Sequence, residues 1–183
     1  MAKRLGVVLG LCLSAAAVPA HADDRTGATD LLAMFDQGCV KAHGQADATR
    51  RWAAAQNMTQ LTHPEGLRLF AGGPEGAAWF TTAKSTPLVL ALRASGVCAV
   101  FAERADPATL SAIYDVMIAT LERTGSSINR LPDQTQDTSH GVRTVRVAIA
   151  GAKDGITQTL MLMTEEKPGA PFQATLQTRF VPN

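Results

Sequence analysis

The stretch TPLVLALRASGVCAVFAERADPATLSAIYDVMIATLERTG, Thr86 to Gly125, decides the fold. Its first half holds two apolar runs, about Thr86–Arg93 and Val97–Glu103, separated by Ala94-Ser95-Gly96. Two such runs around a short glycine-containing turn read as a β-hairpin. Both arms are almost continuously apolar, as expected of central strands covered on both faces. The second half predicts a helix. Asp106 is a suitable N-cap, Pro107 suits the first helical position and Gly125 the left-handed residue past the end. Leu110, Ile113, Met117 and Leu121 recur at helical spacing, with Tyr114 and Ile118 beside them, so this helix is expected to pack on the sheet.

Working outward toward the N-terminus, Ala77–Thr82 reads as a further strand and Leu67–Ala71 as a short one. Both lie in a segment broken by Pro64, Gly66, Gly72, Gly73, Pro74 and Gly76. Ala46–Met58 reads as a helix capped by Asp47 and anchored by Trp52. Thr29–His43 reads as an amphipathic helix with Leu31, Leu32, Phe35 and Cys39 on one face. Toward the C-terminus, Gly141–Ala150 alternates with Val145, Val147 and Ile149 on the inward face. Ile156–Thr164 follows, and then Phe172–Phe180 with Phe172, Ala174, Leu176 and Phe180 inward. The sum is an α+β fold, an antiparallel sheet of five to six strands ending in a meander, packed by N-terminal helices and one long central helix.

The chain opens MAKRLGVVLGLCLSAAAVPAHADD. Lys3 and Arg4 precede an apolar run, Leu5–Val18, then Pro19 and Ala20-His21-Ala22, the pattern of a cleaved signal peptide. Residues 1–22 are therefore assigned to the signal and 23–183 to a single domain, with Asp23 and Asp24 at a free soluble N-terminus. The apolar run is short of the roughly 20 residues that cross a bilayer. Cys12 follows Leu11 in mid-run, which argues against lipidation. Removing 22 of the 183 residues leaves 161, enough for one hydrophobic core. It also takes two of 17 basic residues, leaving 15 against 16 acidic ones and a net charge near −1. That balance points to neither nucleic acid nor an anionic membrane as a partner.

Export decides how the cysteines are read. Cys39 and Cys98 remain, two thiols in an oxidising compartment, which favours a disulfide between them across 59 residues. There is no C-x-x-C for redox exchange and no four-ligand spacing for zinc. A catalytic thiol with a nearby histidine stays open at this stage.

Motifs with tight spacing are missing: no G-x-S-x-G, no H-E-x-x-H, and no glycine before Lys84 in TTAKST. No cofactor and no metal is expected, and no catalytic residue is assigned. Weaker candidates are a ligand site at Gly72–Trp79 and a hydrolytic pair made by His140 or His63 with Asp133 or Asp137. His43 has no second ligand at useful spacing. The blander readings are a glycine loop with a core tryptophan, and a polar surface loop over PDQTQDTSHG. Glu165-Glu166 reads as a solvated hairpin tip. Arg146 and Arg179 read as sheet-surface charge, or as a basic patch if their strands are neighbours.

The order of FDQGCV, GAAWF, PLVLALRASGVCAVFAERAD and ATLQTRFV behind a signal segment resembles a group of small exported proteobacterial proteins of unknown function. They share a Phe-x-x-x-Cys-Val helix motif and a Gly-x-Cys strand motif. The resemblance implies residence in the periplasm and supports a Cys39–Cys98 bond; it brings no catalytic residue and no substrate. The expected function is a non-enzymatic periplasmic protein that binds a protein partner in the envelope, as an accessory, inhibitor or immunity-type factor. The alternatives are a periplasmic hydrolase on cell-wall or small-molecule substrates, and a small-ligand or lipid carrier.

Overall fold

The computed structural model describes residues 22–82, 84–151, 155–167 and 171–182. All of the expected signal segment 1–22 except Ala22, and parts of two expected turns, residues 152–154 and 168–170, lie outside the described residues. The fold is α+β. Nine strands form one antiparallel sheet: β1 (Thr59–Gln60), β2 (Ala77–Thr81), β3 (Leu88–Leu92), β4 (Cys98–Ala102), β5 (Ser127–Arg130), β6 (Gln134–Thr138), β7 (Gly141–Gly151), β8 (Ile156–Glu165) and β9 (Ala174–Pro182). Their order is β1-β2-β3-β4-β9-β8-β7-β5, with β6 also paired to β7. The count exceeds the five to six expected. The excess comes from short polar strands, β1, β5 and β6, whose residues carry little hydrophobic period.

The hairpin at the centre is as expected. β3 and β4 are buried along their whole length. Gly96 takes φ 81° in the turn and Arg93 N–H donates to the Val97 carbonyl at 2.8 Å. One face of the sheet is covered by α1 (Ala22–Phe35), α2 (Ala46–Ala55) and α4 (Pro107–Arg123) over Trp79, Leu90, Val100, Leu160 and Leu176. The other face of β2–β4 is covered by α3 (Pro64–Gly66) and the π-helical turn Leu67–Ala71, a turn where a short strand was expected. Phe70 from that turn packs edge-on against Phe101 and Phe172, with centroids 5.2 and 4.7 Å away. Phe172 therefore serves this second core, not the helix side. It precedes β9 and escapes the strand's alternation.

α1 begins seven residues before the expected Thr29 and ends in a π turn, Asp36–Val40, closed by Lys41 N–H to the Asp36 carbonyl at 2.9 Å. Ala28, Leu31, Phe35 and Cys39 form its buried face. Asp24 is no free terminus. It pairs with Arg104 at 3.0 Å, and its carbonyl accepts from Asp106 N–H at 2.9 Å. The π turn brings Gly38 against the Trp52 ring, where an added Cβ would sit 3.2 Å away. α2 is entered from Gln45 without a side-chain cap; Asp47 lies in its first turn and pairs instead with Arg50.

α4 has the caps read from sequence, Asp106 Oδ2 accepting from Thr109 N–H at 2.8 Å and Gly125 at φ 95°. Its buried face is Leu110, Tyr114 and Ile118, so the stripe is rotated from the expected Leu110, Ile113, Met117, Leu121. β7 is turned over as well. Ala148 and Ala150 are its buried residues, on the face that also carries Arg146, while Val145, Val147 and Ile149 lie on the opposite face. A strand of period two offers both faces, and here the one carrying the smaller side chains is the buried one.

Candidate functional site

α1 and α4 lie side by side on the sheet with an apolar groove between them, about 750 Å³ in volume. Leu32, Phe35 and Val40 line it from α1 and its π turn; Ile113, Val116, Met117 and Leu121 line it from α4; Leu160 is its floor. Val116 is 64% exposed, a large apolar side chain on the rim. From Thr29 to Val40 the groove runs about 16 Å at helical rise. The rotation of α4 builds it. Leu110, Tyr114 and Ile118 satisfy the sheet, so the second apolar stripe is left beside α1 and only partly buried. That surplus is legible in hindsight: α4 is apolar over a wider arc than one sheet contact needs.

The wall of the groove is held from below by a polar network. Arg146 reaches up from β7 to Asp115, its Nη1 and Nη2 donating to the two carboxylate oxygens at 3.2 and 2.9 Å, and donates to the Ser111 carbonyl at 3.3 Å. It lies over the Tyr114 ring at 5.2 Å and also pairs with Asp133 at 3.3 Å. Its pKa is raised, chiefly by the hydrogen bonds it donates to Asp115. Tyr114 O–H donates to the Leu160 carbonyl at 3.1 Å, and burial pushes its pKa up to about 12. The helix is thus fixed to β7 and β8 at one turn.

The sequence candidates for chemistry form no hydrogen-bonded pair among the described residues: His140 lies in the turn three residues after Asp137, with no bond between them, and the other pairs are far apart. His63 follows β1 at one edge of the sheet; Asp137 belongs to β6 and Asp133 immediately precedes it at the other, on the order of 30 Å away at about 4.8 Å per strand. Asp133 and His140 lie at opposite ends of β6, about 17 Å of strand apart. The segment holding them is a strand and its turn into β7, not an irregular loop. His43 sits at φ 48° against Phe180, ring centroids 5.6 Å apart. Among the described residues no group of three or more His, Cys, Asp or Glu is placed to hold a metal. Trp79 is buried in the main core, and the glycine segment before it is the turn out of the π helix.

Two further readings change. Glu165 is not solvated: it is 2% exposed, with Arg143 at 2.6 Å and the Thr138 hydroxyl donating at 3.0 Å. It locks the β6–β7 hairpin onto β8. Arg146 and Arg179 form no shared patch, because β8 separates their strands and the two side chains lie on opposite faces. Cys39 and Cys98 are bonded and buried, so neither is a free thiol. No described helix is long and apolar enough to cross a membrane.

No protein-family model matches the chain, and no curated protein matches it.

Proposed function

We propose that this is a non-catalytic periplasmic protein that binds a partner protein of the cell envelope, and that the groove between α1 and α4 is its binding surface. The observation that carries the reading is the partly exposed apolar stripe Ile113–Val116–Met117–Leu121 facing Leu32 and Val40 across open space. Exposed apolar surface concentrated in one concavity is a common mark of a binding site. That none of His43, His63 and His140 is hydrogen-bonded to a carboxylate among the described residues favours binding over hydrolysis. The signal-like N-terminus and the disulfide support an oxidising, exported setting.

Two measurements test this. Fractionation with N-terminal sequencing is expected to recover the chain from the periplasm beginning at Asp23; a cytoplasmic chain would overturn the localisation. A photo-crosslinking residue at position 116, activated in intact cells, is expected to give one discrete protein adduct, whereas the same residue at Arg68, outside the groove, gives none. Equal or absent crosslinking at both positions would overturn the assignment of the surface.

A further inference from the structure

Resting on that reading, we infer that the groove receives an amphipathic α-helix of the partner, running antiparallel to α1 and α4 with its acidic N-terminal turn against Lys41 and Arg123. The first ground is direction. Asp106 N–H bonds the Asp24 carbonyl, so α1 and α4 start together at one end of the sheet. At the other end, His43 beyond the π turn meets Phe180. The residue two past Gly125, Ser127, pairs with Gly151, which lies opposite Thr157, which in turn lies opposite Val181. Both walls therefore point the same way, and their carbonyl ends lie together beside Val40 and Leu121. A third helix is best placed with its positive N-terminal end there.

The second ground is charge. Arg123 donates from Nη2 to the Thr120 hydroxyl, a groove residue, at 3.0 Å, and among the described residues it has no carboxylate partner. Lys41 pairs with Asp36 at 3.1 Å, with both side chains about half exposed, so this pair can exchange partners at little cost. Lys41 and Arg123 thus stand at the rim of the groove's carbonyl end: Lys41 is paired with Asp36, Glu122 is taken up by Arg130, and Arg123 is left without a carboxylate among the described residues. Acidic residues are favoured in the first turn of a helix, which is the part of an antiparallel occupant that arrives there.

The third ground is width. The surface to be covered spans Leu160 on the floor and Val116 on the rim. A helix, about 10 Å across with its side chains, offers an apolar stripe broad enough to meet more than one line of such residues, which a single acyl chain does not.

The test uses two synthetic 16-residue leucine-rich amphipathic peptides of equal composition, one with Glu in the first turn and Lys in the last, the other with those charges exchanged. Binding to the oxidised protein is read by fluorescence anisotropy, with dodecanoate as a competitor. The acid-first peptide is expected to bind about tenfold tighter, a preference of the size that a few rim charges set. Lys41→Glu with Arg123→Glu is expected to invert the preference, and Val116→Asp to weaken both peptides. If the two peptides bind alike, or the preference survives the charge reversal, the orientation falls and the groove reading stands. If dodecanoate binds while neither peptide does, the site takes a lipid chain and both readings fall. If nothing binds, both readings fall as well.

Discussion

Cys39, in the π turn that ends α1, is bonded to Cys98, the first residue of β4, with 5.5 Å between their Cα atoms and 59 residues between them in sequence. The bond fastens the N-terminal helical layer to the middle of the sheet. Neither sulfur lies in the groove, so the bond fixes the wall of the candidate site without lining it.

Breaking the bond is expected to cost stability. Cys98→Ser should lower the unfolding free energy by about 2–5 kcal/mol, the usual loss on removing a native disulfide. Denaturant unfolding with and without reductant checks it. Because both cysteines are buried, the folded protein should resist mild reductant. Limited proteolysis of the variant should cut first within α1 and α2.

Gly27 faces the backbone of the β4–α4 connection, where an added Cβ would collide with the Arg104 carbonyl oxygen. Backbone cannot move aside as a side-chain tip can. Gly27→Ala should therefore destabilise by about 1–3 kcal/mol, the range for overpacking, although alanine is the better helix former. A thermal melt reads the sign: a rise in Tm would show that α1 shifts to accommodate the methyl group.

Tyr114 gives a dependence on alkaline pH. Its pKa is raised from 10.0 in the ordinary side chain to about 12 by burial. The folded state therefore holds the phenol proton more tightly than the unfolded chain. That contribution is fully present below pH 10 and is lost as the pH climbs from 10 toward 12. Tyr114→Phe should lose about 1 kcal/mol near neutrality, the value of the bond to the Leu160 carbonyl. The variant should also show a flatter decline above pH 10. Equal slopes for both proteins would remove Tyr114 as the cause.

Glu165→Gln should leave Arg143 without its counter-charge and weaken the attachment of the β6–β7 hairpin. Arg143 is 38% exposed and water shields part of the loss, so about 1–2 kcal/mol is expected rather than the full cost of a buried pair. Hydrogen exchange should localise the change to β6 and the start of β7. Uniform protection across the sheet would contradict it.

The central hairpin and α4 were legible because each signal there is local. Continuous apolar arms, a glycine turn, Asp106 before Pro107 and a closing Gly125 all act within a few residues. The disulfide was legible from the count of two cysteines beyond the N-terminal apolar run and from the expectation of export, under which such a pair bonds. β5 and β6 were not, since Ser127–Arg130 and Gln134–Thr138 are polar and become strands only by pairing with β7. The π turns at Asp36–Val40 and Leu67–Ala71 were equally hidden, because one extra residue in a helical turn leaves the composition unchanged. Glu165 looked solvated because its partner, Arg143, is 22 residues away in sequence.

The sequence by itself determined the α+β class, the hairpin, the capped central helix and the pair of cysteines that join the layers. Each follows from periodicity, capping or thiol chemistry over short stretches of chain. Tertiary structure alone decided which stripe of α4 meets the sheet and which face of β7 lies beneath it. A helix apolar over a wide arc and a strand apolar on both faces each allow more than one rotation. Packing chose the one that buries Leu110, Tyr114 and Ile118 over the alanines of β7, and that choice left Ile113, Val116, Met117 and Leu121 facing α1 across an open groove.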